Sequence, residues 1–93
     1  MSQNKHDTIF IGKKPLMSYV TSAILQLSSV NSINIQARGL SIAMAVDVTQ
    51  ILMKRTNIFK VGEIQIGSES LESQDGRKRD VSTIKIPISR IEN

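Results

Sequence analysis

The amino-acid sequence predicts an α+β fold of order βαβαββ, a two-layer sandwich with two helices packed on a four-stranded mixed sheet. Three observations lead there: two segments repeat apolar residues at three- and four-residue steps, four are β-branched or alternate apolar with polar, and the breaks interleave them. With 93 residues, 40% of them apolar, the chain has room for one small domain, 8–93, behind a polar leader, 1–7, expected to be disordered. A chain of this length buries only about 60–65% of its unfolded surface, so a partner subunit is a reasonable expectation.

Thr8, Ile9, Phe10 and Ile11 are β-branched or aromatic and stop at Gly12, which reads as a short first strand and a turn. Pro15 suits the first turn of a helix, and Leu16, Val20, Ala23 and Leu27 then recur at helical spacing, so the first helix is expected over Pro15 to Ser28. Ile33, Ile35 and Ala37 alternate with Asn34 and Gln36, the period of a half-buried strand, up to Gly39. Leu40 to Arg55 holds neither Pro nor Gly, and its broad apolar face, Ile42, Ala45, Val46, Thr49, Leu52 and Met53 extended by Val48 and Ile51, predicts a second helix with area left for another subunit. From Ile58 to Ile66 the alternation changes phase at Gly62, which predicts a third strand with a β-bulge there. Gly67 to Arg79 is polar and charged, with Asp75-Gly76 suited to a mirror-image two-residue turn at the tip of a long hairpin arm. In the last strand Ser82, Ile84, Ile86 and Ile88 share one parity, and Pro87 is expected to mark a sheet edge.

Composition excludes several functions. The chain has no Cys and a single His, His6 in the leader, so a disulfide scaffold, a thiolate metal site and nucleophilic catalysis find no support; no enzyme, metal or cofactor is expected. No apolar run is long enough for a membrane span. Aromatic residues make up 3% of the chain, too few for a base-stacking sheet face, so a basic surface must act by charge.

Twelve Lys and Arg against eight Asp and Glu leave a net +4, which by itself is compatible with an ordinary solvated surface. Position sharpens the signal. Lys13 and Lys14 fall between a strand and a helix N-terminus, where the dipole and free N–H groups favour an anion and where lysines do nothing for the helix. Arg38 follows the second strand, so the βαβα order puts it at the same end of the sheet; a salt bridge to Asp47 or a backbone-capping role is its alternative. Arg77, Lys78 and Arg79 follow the hairpin turn, as an arm that can reach a groove or as a solubilising loop tip. Lys54, Arg55 and Lys60 are accounted for by the C-terminal end of the helix dipole.

Ile9 to Val20 (IFIGKKPLMSYV), Ala37 to Asp47 (ARGLSIAMAVD) and Gly67 to Ile86, with its Ser73-Gln74-Asp75-Gly76-Arg77 and Val81-Ser82-Thr83-Ile84 segments, resemble the Alba family of archaeal chromatin proteins, in the same order and over most of the chain. The resemblance implies a homodimer that binds double-stranded DNA, and RNA as well, with little sequence preference, in the cytoplasm on the chromosome. It assigns backbone contacts to Lys13, Lys14 and Arg38, groove contacts to the arms around Arg77, Lys78 and Arg79, and acetylation to Lys13 or Lys14 as the modification that would weaken phosphate binding. An RNA-binding ribonucleoprotein subunit, or a structural partner forming a heterodimer with a more basic paralogue, is the alternative. The chain departs from the family pattern in carrying Gln36, Leu40 and Met44 where basic residues are common, and Asp80 before the Val-Ser pair. Thr56 stands where some members use a large apolar residue to pack dimers side by side, with Phe59 as the nearby substitute.

Overall fold

The computed structural model describes residues 7–91, in which β1 (Thr8–Phe10), α1 (Leu16–Leu27), β2 (Ser32–Arg38), α2 (Ile42–Arg55), β3 (Phe59–Val61), β4 (Gln65–Glu72) and β5 (Lys78–Arg90) follow one another. The leader expected over 1–7 lies outside these residues except for Asp7. β1 pairs parallel with β2, β2 antiparallel with β5, and β5 carries β3 and β4 in turn along its other side.

Period-two alternation puts one apolar row of each strand on the same face. Ile9 pairs with Ile35 and Ile35 with Ile86, while Ile33 pairs with Ile88. All five are buried, under Val20, Ala23 and Leu27 of α1 and Ala45, Val48 and Leu52 of α2. Fully burying each of these larger aliphatic side chains contributes about 1.5–3 kcal/mol, so this row and the two helix stripes dominate the stability of the body. In α2 the expected face is buried at Ala45, Val48, Thr49 and Leu52, while Val46, expected on it, is exposed.

The third strand is divided, which makes the sheet five-stranded rather than four-stranded. β3 and β4 both pair with β5, but four steps from Val61 to Gln65 are matched by three on β5, from Ile88 to Lys85. One residue is therefore extra, the bulge that the phase change at Gly62 predicts. This break also explains Pro87. β5 has neighbours on both sides, so Pro87 is not on an edge strand as expected. Its carbonyl accepts the Gly62 N–H at 2.8 Å, so its ring nitrogen, on the same side of the strand, faces the bulge rather than a regular ladder position.

The second helix is preceded by a 3-10 turn, Gly39–Ser41, instead of starting at Leu40. Gly39 sits at φ 58°, a left-handed conformation that costs glycine little, which is why Gly follows Arg38 where the strand turns into the helix. No helix among the described residues is long and apolar enough to cross a membrane.

Beyond Thr83, the partner of Arg38 at the end of β2, β5 has only β4 beside it. The five pairs from Ser68–Ser82 to Glu72–Lys78 form a projecting arm, joined to the body at its base where Glu69 meets Arg38, and every residue of β4 is exposed. The arm stretches the molecule to 51 Å along its longest axis and raises the radius of gyration to 14.3 Å. A compact chain of this length would have about 12 Å. The tip is not the mirror-image turn expected. Ser73 N–H donates to the Arg77 carbonyl at 2.8 Å and Gly76 N–H to the Ser73 carbonyl at 3.0 Å, with Gly76 at φ 85° and no non-glycine residue at positive φ among the described residues. That is the three-residue type of hairpin loop, an ordinary turn followed by a left-handed glycine.

Candidate nucleic-acid interface

Because β1 and β2 run parallel, the segment that leaves β1 and the residue that ends β2 emerge at the same end of the sheet. β5 runs the opposite way, so the arm projects from that end too. Lys13 and Lys14, Arg38, and the Arg77–Arg79 segment are therefore brought to one end of the molecule, and all of them are exposed.

Lys13 and Lys14 are held there by a buried phenol. Ile11 continues the β1 ladder through a 2.9 Å bond from its N–H to the Gln36 carbonyl, and the chain then turns over Tyr19 of α1. The Tyr19 hydroxyl accepts the Gly12 N–H at 2.8 Å and the Lys14 N–H at 2.9 Å. Two amides of the expected anion-binding loop thus point inward, a correction to the reading in which the free N–H groups of this segment face a phosphate. What the loop presents is ammonium charge. α1 adds to it, since no acidic residue stands in its first turn and no side chain caps Pro15, leaving the positive end of its dipole unmasked.

Arg38 is not paired with Asp47. Its guanidinium donates to the Glu69 carboxylate of β4 at 2.8 Å, across the intervening β5, with both side chains more than half exposed. The register places both on the sheet face opposite the helices, Arg38 in rank with Thr83 and Gly67 and Glu69 one rank further out, opposite Val81. One rank back on the same face stand Phe10, Gln36, Lys85 and Gln65. Together these ranks line an open groove of about 740 Å³. Among the described residues Phe10, 70% exposed, is the one aromatic ring on this face, because Tyr19 and Phe59 are in the core. A single ring gives no continuous stacking platform, in keeping with recognition by charge.

Alternation divides the arm cations. Arg79 shares the parity of Thr83 and so the face of Arg38, whereas Lys78 shares the parity of Asp80, with Glu72 as its cross-strand partner, and Arg77 belongs to the turn before the strand. Arg77 also has Asp75 at 3.7 Å. The projecting segment 68–82 contains Arg77, Lys78 and Arg79 against Glu69, Glu72, Asp75 and Asp80, a net −1, so the rest of the chain carries +5. Asp75 is built into the tip: the Ser73 hydroxyl donates to it, the Arg77 N–H donates at 3.1 Å, and these bonds hold its carboxyl below the ordinary value.

Lys54 and Arg55 occupy the last turn of α2, the favourable end of its dipole and about 20 Å from its start. Phe59 is 7% exposed in the core, which removes it as a side-by-side packing residue, and Thr56 bonds its hydroxyl to the Leu52 carbonyl at 3.2 Å. Sequence reasoning does not single out Tyr19 or Glu69. Tyr19 carries a faint signal, a polar-tipped aromatic at a core position of the helix after the lysines; Glu69 carries none, being one acid in a charged stretch.

Comparison with known proteins agrees with this geometry. The family model described as Alba matches residues 7–68. The DNA/RNA-binding protein Alba of Nitrosopumilus maritimus is 62% identical over 92 residues, which cover 97% of each chain. Among solved structures, Alba from Thermoplasma volcanium superposes with a TM-score of 0.83 at 40% identity, over 89% of this chain and 99% of that one. ALBA1 from Trypanosoma brucei shares the fold at a TM-score of 0.79 and 16% identity, over 97% of this chain and 74% of that one. Two helices on a mixed five-stranded sheet with a projecting hairpin, matched over the whole body by these relatives, place the chain in the Alba family.

Proposed function

We propose that this chain is a chromosome-associated, homodimeric nucleic-acid-binding protein that takes duplex DNA, and RNA as a second substrate, through phosphate contacts without reading sequence. The observation that carries the reading is the gathering of Lys13, Lys14, Arg38 and the arm at one end of the sheet. Lys13 and Lys14 supply point charges on a loop fixed by Tyr19, and Arg38 supplies a planar guanidinium able to fork onto a phosphate. Arg79 extends the contact along the arm on the same face, with Lys78 on the other and Arg77 at the tip. The relative from Nitrosopumilus maritimus is named for binding DNA and RNA, which supports extending that ligand class to this chain.

Apolar surface left uncovered supports the dimer. Ile66 pairs with Ile84 on the helix side of the sheet, where no helix reaches it, and is 82% exposed; Leu40 and Ile64 are exposed as well. Two chains at +4 each carry +8, which favours association with a polyanion. The test is fluorescence anisotropy with random duplexes and a structured RNA across a range of salt, alongside native mass measurement. Affinity that falls steeply with salt and does not vary among duplex sequences is expected, with a mass of twice the chain that Ile66→Asp halves. Absence of binding to either nucleic acid at low salt overturns the reading, and a strong preference for the RNA replaces DNA with RNA as the main substrate.

A further inference from the structure

We propose that Glu69 is an internal competitor for the phosphate site of Arg38, setting how tightly this chain grips nucleic acid; the inference rests on the phosphate-binding function proposed for this end of the sheet and adds a control element to it. The Arg38 guanidinium, the one cation at the body end of the sheet able to fork onto a phosphate, has Glu69 at 2.8 Å, so in the free protein a carboxylate occupies the place a phosphate oxygen would take. Glu69 engages one Nη of Arg38, so it competes with a phosphate for that donor and keeps a negative charge beside the remaining N–H groups.

The pair is exposed, at 60% and 53% of the two side chains, so it is a weak latch rather than a structural bond. A phosphate can displace Glu69 at modest cost, but the displaced carboxylate then stays beside the incoming polyanion and opposes it. Glu69 also sits at the base of the arm, at the register position opposite Val81, so the exchange joins the state of Arg38 to the strand that carries Arg79. The remaining arm acids do not reach Arg38 in this way: Glu72 and Asp80 lie on the opposite parity, and Asp75 is engaged with Ser73 and Arg77. The net −1 of segment 68–82 therefore includes one charge aimed at a binding group.

Glu69→Gln keeps the size of the side chain and removes the competing charge. Loss of any negative charge strengthens binding to DNA in general, so Glu63→Gln, which removes one exposed carboxylate from the β3–β4 break, serves as the charge-matched control. Duplex affinity of the full-length chain, measured by anisotropy at fixed salt, is expected to rise with Glu69→Gln about two- to fivefold more than with Glu63→Gln for each Arg38 engaged, the range an exposed ion pair supports. In an Arg38→Ala background the extra gain should vanish, leaving Glu69→Gln equal to Glu63→Gln. Equal gains from the two variants in the otherwise unchanged chain would overturn the inference, and so would weaker binding by Glu69→Gln, which would make Glu69 a positioning group for Arg38. If no variant binds duplex at low salt, the phosphate-binding function itself fails, a result distinct from equal gains.

Discussion

Between Thr83 and Ser89, β5 runs through the middle of the sheet with Ile86 and Ile88 buried; between Lys78 and Ser82 the same strand has only β4 beside it, and no residue there is buried. The first stretch belongs to a body whose shape is set by packing, with apolar rows under two helices. The second belongs to an arm set by backbone ladder bonds, a glycine-containing turn and charge pattern. The charge divides in the same way, +5 for the body and −1 for the projecting segment 68–82. The contrast teaches that a long hairpin with three successive cations need not be a basic arm, and that the net positive charge resides in the packed body.

Substitution in the two parts should separate them most strongly in stability. Leu52→Ala, at a fully buried position of α2, should lower unfolding free energy by about 2–5 kcal/mol, whereas Ser70→Ala on the exposed arm should change it by less than about 0.5 kcal/mol. Urea unfolding followed by circular dichroism gives both values, and comparable losses would mean that the arm is packed in solution.

Tyr19→Phe sharpens the comparison inside the body. It removes the acceptor of the Gly12 and Lys14 N–H groups while keeping the ring in the core, and should cost about 1–2 kcal/mol of stability and loosen the lysine loop. Amide exchange at Gly12 and Lys14 should accelerate while that of Ile35 follows global stability alone. Unchanged exchange at the two loop amides would show that the phenol does not hold the loop.

The smallest effect belongs to the arm tip. Asp75 is held below its ordinary value by the Ser73 hydroxyl and the Arg77 N–H, so the tip bonds are fully present above the unfolded value near 3.8 and are lost as pH falls through the still lower folded value. The Arg77 amide should shift in an NMR titration only below that range, with core amides unmoved in the same interval. A midpoint at or above 3.8 would contradict the turn geometry.

Much of the body could be read from periodicity alone, because burial on one face forces it. Ile33, Ile35 and Ala37 alternate in sequence and are buried in the structure, Val20, Ala23 and Leu27 follow the helical step into the core, and the phase change at Gly62 becomes a one-residue offset against β5. Pro87 misleads when read locally, since a missing donor implies an edge only if no bulge lies opposite, and the partner segment is some 25 positions away. The turn at Asp75-Gly76 misleads for a similar reason: the dipeptide permits two loop types, and the Ser73 and Arg77 bonds to Asp75 select between them. Among the candidate site residues, Lys13, Lys14 and Arg38 were visible through their place in the βαβα order, and Arg77, Lys78 and Arg79 through the hairpin turn before them. Tyr19 and Glu69 were not, since one acts through a hydroxyl on an otherwise apolar helix face and the other through a contact between strands 31 positions apart.

The most direct measurement is the salt dependence of duplex binding for the unaltered chain and for Lys13→Ala combined with Lys14→Ala. Each phosphate contact on B-form DNA contributes about 0.9 to the slope of log affinity against log salt, so the double substitution should flatten it by about two for each protomer engaged, equally on every duplex sequence. A slope that does not change, or a loss confined to particular sequences, would contradict phosphate gripping by the rigid end of the body.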